Sequence, residues 1–269
     1  MSGQDVDFSG SIPANYDRYL GPMFFQPYAE DLAERLQVRP DGSVLELACG
    51  TGIFTRLLRN KLPLTVNLVG TDLNAPMIQI AMGKFGPGEL VQWQEADATN
   101  LPFADATYDA VVCQFGLMFV PDKRAAVREA YRVLKPGGTF LFNVWDAMEH
   151  NELAKLTHET IASFFERDPP GFYEVPFGYH DRCEIEKLMR QEGFRAIQVS
   201  VVPKASKTRR AEDAAKGLIE GNPVVVAIME RDPALVRKII DALTAAIKSR
   251  SDDSPVRAPM RAIIVQAQR

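Results

Sequence analysis

Val44-Leu45-Glu46-Leu47-Ala48-Cys49-Gly50-Thr51-Gly52 is the segment most informative about the fold, and Gly70-Thr71-Asp72 follows it. An apolar run ends in an acid and continues into a loop of small residues, after which residues 53–59 show a helical pattern. Small residues let the backbone turn sharply and approach a ligand closely, and the start of a helix offers free N–H groups. Asp72 ends a second apolar run, where it is placed to accept hydrogen bonds from a ribose. Together these features predict a nucleotide-type cofactor site on an α/β sheet.

Length and composition limit the protein classes to consider. The 269 residues fit one large domain or a core with a substantial appendage. A formal charge of −4 gives no reason to expect nucleic acid or an anionic membrane as a partner. The three cysteines (Cys49, Cys113 and Cys183) are far apart and include no C-x-x-C pair. This spacing argues against a disulfide framework or a zinc site and favours a reducing cytoplasm.

The chain shows no targeting or membrane signal. Residues 1–17 are polar and lack the apolar core of a signal peptide. No stretch approaches the roughly 18 apolar residues needed to span a bilayer. We therefore expect a cytoplasmic protein with no membrane partner.

Strand-like and helix-like segments alternate through the middle of the chain. The predicted strands are 43–47, 65–71, 90–95, 108–114 and 139–145, and the predicted helices between them are 51–60, 76–84 and 123–134. Sustained alternation of this kind requires parallel strands joined by crossover helices. We expect a doubly wound, Rossmann-like α/β domain whose seven-stranded sheet is mostly parallel and has an antiparallel last strand.

The flanking regions follow a looser pattern. Residues 1–20 are expected to be loosely ordered, with a first helix over 27–36. Beyond the core we predict helices over 149–167 and 182–191, an aromatic loop over 168–178, a strand over 195–202, at least two helices within 211–248 and a strand over 260–267. Three regions are expected: a helical lid segment (1–37), a cofactor-binding core (38–146), and a region of lid helices with the last two strands of the sheet (147–269). A helical insertion at about 206–255 separates these two strands.

Several further motifs accompany the glycine loop: residues 72–77 (DLNAPM), 95–103 (EADATNLPF), 108–115 (YDAVVCQF) and 133–138 (VLKPGG). As a set they resemble the class I S-adenosylmethionine-dependent methyltransferases, in particular the small-molecule branch that includes the ubiquinone and menaquinone C-methyltransferases. The resemblance is strong over residues 42–146. One position departs from it, because the family usually has glycine where this chain has Ala48. Alanine loses easy access to positive φ but keeps the site small, so we expect the loop to keep its shape.

The resemblance implies a role for each motif in binding S-adenosylmethionine, with S-adenosylhomocysteine as the product. Asp72 would accept both ribose hydroxyls, and Asp97 would accept from the adenine amino group beside the Ala98 backbone. Leu73 and Met77 would pack on the adenine face. Asp97 also fits an exposed turn acid, and Met77 also fits plain core.

The loop residues would lie near the other end of the cofactor. Glu46, Gly50 and Gly52 are expected near its methionine moiety, and the same resemblance assigns Ala48, Cys49, Gln114 and Tyr16 to the site. This cofactor has no pyrophosphate, so the glycines would serve close approach of the backbone and not anion binding.

A nicotinamide dehydrogenase is an alternative, because an acid about twenty residues after the glycines also marks that site. Its G-x-G-x-x-G fingerprint is incomplete here, since Thr55 occupies the third glycine position. It also leaves Glu46 and the Asp97 segment unexplained.

The acceptor is expected over the carboxyl ends of the strands. The candidates at these ends are Gln114, Phe115, Phe119, Trp145 and Asp146, and the aromatics that would close over them are those of the N-terminal segment with Phe164, Phe165, Phe172, Tyr173, Phe177 and Tyr179. Such aromatics also fit an ordinary core. If they line a pocket, the acceptor is a small apolar or aromatic molecule.

No catalytic residue can be assigned from the sequence. His150, His158 and His180 are the three histidines, and His180 beside Tyr179 is the best candidate for a base. A base is not required if proximity alone supplies the rate. No metal-ligand spacing is present, and both a monomer and a homodimer remain open.

Two hypotheses from different functional classes also fit the motifs. A catalytically silent protein that binds S-adenosylmethionine for regulation or as a scaffold would carry the same motifs. An RNA methyltransferase would use the basic run at residues 204–210 (KASKTRR), which we interpret as a short solvated loop.

Overall fold

The computed structural model describes residues 8–250 and 255–269, so residues 1–7 of the expected lid segment and 251–254 of the expected insertion lie outside the described residues. A seven-stranded sheet with the order β3-β2-β1-β4-β5-β7-β6 organises the chain. Its strands are β1 Ser43–Leu47, β2 Asn67–Asp72, β3 Gln92–Glu95, β4 Tyr108–Gln114, β5 Leu134–Trp145, β6 Arg195–Thr208 and β7 Val256–Gln268. The first five pair in parallel, and β7 runs antiparallel to both β5 and β6. The predicted fold class is confirmed.

Helices cover both faces of the sheet and one end of it. They are α1 Ile12–Asn15, α2 Gln26–Arg35, α3 Ile53–Lys61, α4 Ala75–Met82, α5 Lys123–Val133, α6 Glu152–Ala162, α7 Glu174–Phe177, α8 Arg182–Gln191, α9 Ala211–Glu220, α10 Val224–Arg231 and α11 Pro233–Lys248. A π-helix over Tyr16–Phe25 joins α1 to α2, and single 3₁₀ turns lie at Leu117–Phe119 and Met148–His150. Helices α9 to α11 lie between β6 and β7 in the chain.

Alternate residues of the central strands enter two separate apolar clusters. Val111 of β4 and Phe140 of β5 belong to one cluster, whereas their neighbours Val112 and Leu141 belong to the other. Successive side chains of a strand point to opposite faces, so the sheet is buried on both sides, as parallel sheets require. Helices α2 and α3 cover one face, and α5 and α8 cover the other.

The N-terminal helical region starts earlier than predicted. Residues 12–20 are helical, although the sequence predicts a loosely ordered segment over 1–20 and a first helix over 27–36. The π-helix passes through Pro22 because its buried side chains, such as Leu20, pack against α9. A Cβ on Gly217 of α9 would lie 2.6 Å from the Tyr19 Cβ, so this glycine allows the close approach.

The interpretation of the basic run as a loop is wrong. Strand β6 continues to Thr208, and Lys204 and Lys207 pair there with Met260 and Arg257 of β7. Pairing with β7, which lies far away in sequence, extends the strand beyond the predicted end at residue 202.

No helix in the described part of the chain is both long and apolar enough to cross a membrane.

The Asp109 carboxylate joins the starts of three strands. It accepts hydrogen bonds from the backbone N–H and the hydroxyl of Ser43, both at 2.9 Å, and from Lys135 at 2.7 Å and Arg39 at 2.9 Å. Burial alone would raise the pKa of Asp109, but the hydrogen bonds from Lys135, Ser43 and Arg39 hold it below its ordinary value.

We expect Asp109→Asn to lower the free energy of unfolding at pH 7 by about 1–3 kcal/mol, because hydrogen bonds to a partly buried charge are lost. Asp109 contributes to the free energy of unfolding above its unfolded pKa of about 3.9. This contribution disappears as the pH falls through the lower folded pKa. Urea unfolding at pH 7 and pH 3 measures both effects.

Asp105→Asn is the matched control. The Asp105 side chain is 74% exposed and forms an ion pair with Arg132 at 2.8 Å. Loss of this ion pair should lower the free energy of unfolding by less than about 0.5 kcal/mol. Equal losses in the two variants would contradict the role given to Asp109.

Candidate functional site

The glycine loop turns through three residues with positive φ. Ala48, Gly50 and Gly52 have φ of 51°, 54° and 76°, and the Cys49 N–H donates to the Thr71 carbonyl at 2.8 Å. A Cβ on Gly50 would meet nothing within 4 Å, so its backbone is open to a ligand. A Cβ on Gly52 would lie 2.8 Å from the Ala81 Cβ, so this glycine serves the packing against α4.

Ala48 adopts the left-handed conformation despite its methyl group. This costs about 1–2 kcal/mol relative to glycine, but the loop keeps its turn as expected. Gly116, which follows β4, provides the space, because a Cβ there would lie 2.4 Å from the Ala48 Cβ.

Asp72, the last residue of β2, connects this loop to the next. Its Oδ2 accepts from the Gly50 N–H at 2.8 Å, and its Oδ1 accepts from the backbone N–H of Asn74 at 2.8 Å and from its side chain at 3.2 Å. Burial raises the pKa of Asp72, and the hydrogen bonds from Asn74 and Gly50 oppose the increase. An ionised carboxylate has about four acceptor positions, so capacity remains for a ligand hydroxyl.

Glu46 is a second buried acid and lies in β1, just before the loop. It is 1% exposed, and neither carboxyl oxygen makes a hydrogen bond of normal length and angle with the described residues. Burial raises the pKa of Glu46 to about 8, the nearby Thr55 hydroxyl opposes the increase, and the charge of Asp72 adds to it. Such an unpaired buried acid is costly in a folded protein.

A cavity of about 500 Å³ opens over the carboxyl ends of the strands. Ala48 after β1, Asp72 of β2, Gln114 of β4 and Trp145 of β5 all line it. Of the predicted cofactor residues, those on its wall are Tyr16, Ala48, Gly50, Asp72, Leu73, Met77, Asp97, Ala98 and Gln114. Glu46, Cys49 and Gly52 do not line it.

Met77 and Asp97, at the Asp72 end, each fit both roles considered from the sequence: a cofactor contact, and a plain core residue or turn acid. Met77 is 4% exposed, belongs to the core and also lines the cavity. Asp97 is an exposed turn acid whose Oδ1 accepts from the backbone and the hydroxyl of Thr99, both at 2.8 Å, and it also lines the cavity. Leu73, on the same wall, is 62% exposed.

Aromatic side chains form the other end of the cavity. Phe115 and Trp145 stack with ring centres 4.0 Å apart, and Phe25 and Phe177 pack against Trp145 at 6.1 and 5.9 Å. The Gln114 amide donates to the Phe25 carbonyl at 2.8 Å, which fixes the helical region against β4.

The structure separates the predicted acceptor residues into two groups. Those that line the cavity are Gln114, Phe115, Phe119, Trp145, Phe172, Tyr173 and Phe177, with Tyr16, Phe24 and Phe25 from the N-terminal region. Those that do not are Tyr19, Tyr28, Phe164, Phe165, Tyr179 and Asp146. Asp146 instead forms an ion pair with Arg261 at 2.5 Å.

Several wall residues were missed from the sequence because no local motif marks them. They come from the N-terminal region, α6, the insertion and β7, and include Phe8, Leu20, Asn151, Leu153, Leu218, Asn222, Pro259 and Met260. Long-range packing brings them to the cavity.

None of the described residues on the cavity wall carries a positive charge. The three histidines all lie elsewhere, and Nδ1 of His180 is 2.8 Å from the Phe177 carbonyl oxygen. Within residues 8–250 and 255–269, no group of three or more His, Cys, Asp or Glu side chains is placed to hold a metal ion.

Comparison with known proteins adds independent observations. A family model described as a methyltransferase domain matches residues 45–142. A demethylmenaquinone methyltransferase from Lactiplantibacillus plantarum is 35% identical over 133 residues, 47% of this chain and 56% of that protein. One from Lactobacillus johnsonii is 37% identical over 180 residues, 62% of this chain and 73% of that protein. The chain therefore spans little more than half of the first of these relatives.

A solved structure shares the fold. Phosphoethanolamine N-methyltransferase 2 of Haemonchus contortus, in complex with S-adenosyl-L-methionine, superposes with a TM-score of 0.62 at 16% identity. The match covers 100% of this chain and 60% of that one. At this identity the likeness shows the fold alone.

Glu46 provides a pH-dependent test of the site. Its folded pKa of about 8 lies above the unfolded value, so between about pH 4.5 and pH 8 only the folded state holds the proton. Stability should therefore fall as the pH rises through this range. Glu46→Gln removes the titration and should become more stable than the wild type by more than about 1 kcal/mol at pH 8.

Urea unfolding of both proteins at pH 5 and pH 8 measures the effect. The difference between them should be small at pH 5 and grow toward pH 8. A difference that stays constant would mean that Glu46 titrates normally.

Proposed function

The chain belongs to the class I S-adenosylmethionine-dependent methyltransferases, and from this we propose that it transfers a methyl group from S-adenosylmethionine to a small organic acceptor. The observation that carries the proposal is one continuous cavity, which has Asp72 and the glycine loop at one end and aromatic rings at the other. The acceptor is proposed to be apolar or aromatic, since the named relatives are demethylmenaquinone methyltransferases and this end is apolar.

The residues at the Asp72 end fit the cofactor. Asp72 keeps acceptor capacity for a ribose hydroxyl, and the Gly50 backbone is open to close approach. In the proposed complex the free oxygen of Asp97 accepts from the adenine amino group beside the Ala98 backbone. Leu73 and Met77 pack on the adenine faces. When bound, S-adenosylmethionine supplies an electrophilic methyl group on a positively charged sulfur.

Residues around the loop support this end of the cavity. Burial, together with the charge of Asp72, raises the pKa of Tyr16, so its hydroxyl stays protonated and can donate a hydrogen bond. Cys49 and Gly52 are proposed to hold the shape of the loop from behind the wall. Glu46 is proposed to contribute a buried acid close to the methionine moiety.

The aromatic end is proposed to orient the acceptor and to exclude water. Because no described wall residue is cationic, an anionic acceptor would find no counter-charge there. The wall also offers no histidine or lysine as a base. Alignment of the reacting atoms can itself lower a barrier by several kcal/mol, so methyl transfer does not depend on a base.

We further propose a cytoplasmic protein with a small-molecule partner and no nucleic-acid substrate. All three cysteines are free, which suits a reducing compartment. The basic run that suggested RNA belongs largely to a paired strand, and Lys204 within it lies 3.5 Å from Asp31.

The dehydrogenase and the silent scaffold are both less well supported. A nicotinamide dehydrogenase would need a third glycine where Thr55 is buried in α3. A silent scaffold is not favoured, because the named relatives are methyltransferases.

Asp72→Asn tests the cofactor end. The amide keeps the shape of the carboxyl group but loses its charge and part of its acceptor capacity. We expect the affinity for S-adenosylhomocysteine to fall at least about tenfold, since hydrogen bonds to a charged acceptor are the stronger ones. Isothermal titration calorimetry measures the change, and circular dichroism checks the fold. Asp105→Asn, outside the cavity, should bind like the wild type, and wild-type affinity in Asp72→Asn would disprove the ribose assignment.

Transfer of label from methyl-labelled S-adenosylmethionine tests the activity itself. The wild type should transfer label to at least one member of a panel of uncharged aromatic acceptors. Binding of S-adenosylhomocysteine without transfer to any phenol, hydroquinone, aromatic amine or heteroaromatic compound would support the silent scaffold.

A further inference from the structure

The break between α9 and α10 places an asparagine on the cavity wall. Gly221-Asn222-Pro223 ends α9, and Asn222 lines the cavity while only 8% of its surface is exposed. Its side-chain nitrogen donates to the Leu218 carbonyl at 3.0 Å and to the Tyr173 hydroxyl oxygen at 3.3 Å. Leu218 and Tyr173 line the same cavity.

These hydrogen bonds determine which way the amide faces. The Leu218 carbonyl can only accept, so the atom 3.0 Å from it must be the amide nitrogen. The Tyr173 hydroxyl donates its single hydrogen to the same carbonyl at 2.6 Å, so toward Asn222 it acts as an acceptor. Both amide hydrogens are therefore used within the protein.

The amide oxygen of Asn222 has no such partner. No described residue donates to Oδ1, yet this oxygen is not among the fully enclosed, unpartnered ones. It is therefore an accessible acceptor on the wall of a mostly apolar cavity. When a bound ligand displaces water from this position, the oxygen costs free energy unless the ligand supplies the missing hydrogen.

Three other amide side chains line the cavity. Asn151 is paired on both sides, because its nitrogen donates to the Asp146 carbonyl and its oxygen accepts from the Arg261 N–H. Asn74 lies at the Asp72 end, where its nitrogen donates to Asp72.

Gln114 donates to the Phe25 carbonyl, and its Oε1 also lacks a described partner. Gln114 is only partly buried, and one hydrogen bond holds its amide, whereas two hold that of Asn222. Asn222 is the more rigid and the more buried acceptor.

We propose that Asn222 determines acceptor specificity: its Oδ1 accepts a hydrogen bond from a hydroxyl or amine hydrogen on an uncharged aromatic acceptor. This inference rests on the proposed function, whose acceptor it defines more narrowly. A buried acceptor atom discriminates strongly against analogues that lack the donor, because it is then left unpaired. A single hydrogen bond from a fixed amide would also restrict the rotation of the ring in the chamber.

Binding of four probes by equilibrium dialysis tests the inference without catalysis. The probes are 1-naphthol, 1-naphthylamine, 1-methoxynaphthalene and naphthalene, of which only the first two carry a donor. The wild-type chain should bind both donors about five- to tenfold more tightly than 1-methoxynaphthalene, the range expected for one net hydrogen bond. Comparison of 1-naphthol with 1-naphthylamine shows whether the site recognises a hydroxyl donor, an amine donor or both. A wild-type ratio near one for both donors overturns the inference without any variant.

Variants then assign the effect to one residue. In Asn222→Leu the ratio should fall to about one while naphthalene binding is kept. Gln114→Leu should preserve the preference. Loss of the preference in Gln114→Leu but not in Asn222→Leu would assign the role to Gln114 and overturn the inference.

The same samples keep the two claims apart. Affinity for S-adenosylhomocysteine, measured in parallel, reports on the proposed function alone. A chain that fails to bind it but still prefers 1-naphthol refutes the proposed cofactor and leaves the role of Asn222 standing. A chain that binds S-adenosylhomocysteine but shows no preference for 1-naphthol supports the proposed cofactor and refutes the role of Asn222.

Discussion

The hydrogen bond from the Gly50 N–H to the Asp72 carboxylate is the contact on which the rest of the site depends. It joins the loop after β1 to the end of β2, so two neighbouring parallel strands present their carboxyl ends as one surface. Three positive-φ residues shape the loop, and the Asp72 carboxylate accepts from the N–H of one of them, Gly50. Without that acceptor, a partly buried backbone donor would be left unpaired.

Two strained backbone positions lie at this edge of the sheet. Ala48 follows β1 and Phe115 follows β4, the strand beside it, and both are non-glycine residues with positive φ. Gly116 gives the Ala48 methyl its space, while Phe115 stacks on Trp145. Strained positions of this kind persist where surrounding packing holds them, and they cluster at binding sites. Here they separate the polar end of the cavity from its aromatic end.

The core of the fold could be predicted because its signals are local. Strands β1 and β4 have the predicted bounds, since each is a short apolar run between turn residues. The glycine loop and Asp72 form a motif that can be read over about thirty residues. The remaining features depend on distant neighbours, because local periodicity carries no information about which distant segments meet. The π-helix crosses Gly21-Pro22 because α9 packs against it, and β6 passes its predicted end because β7 pairs with it. Asn222 resembles an ordinary helix-breaking residue in the sequence, and only the folded chain shows its amide on the cavity wall.

The identity of the cofactor separates a methyltransferase from a dehydrogenase, and side-by-side calorimetry of the wild-type chain with S-adenosylmethionine, S-adenosylhomocysteine and NAD measures it. We predict that the first two bind with dissociation constants in the micromolar range and that NAD does not bind. Binding of NAD alone would contradict the assignment of Asp72 and the glycine loop to S-adenosylmethionine.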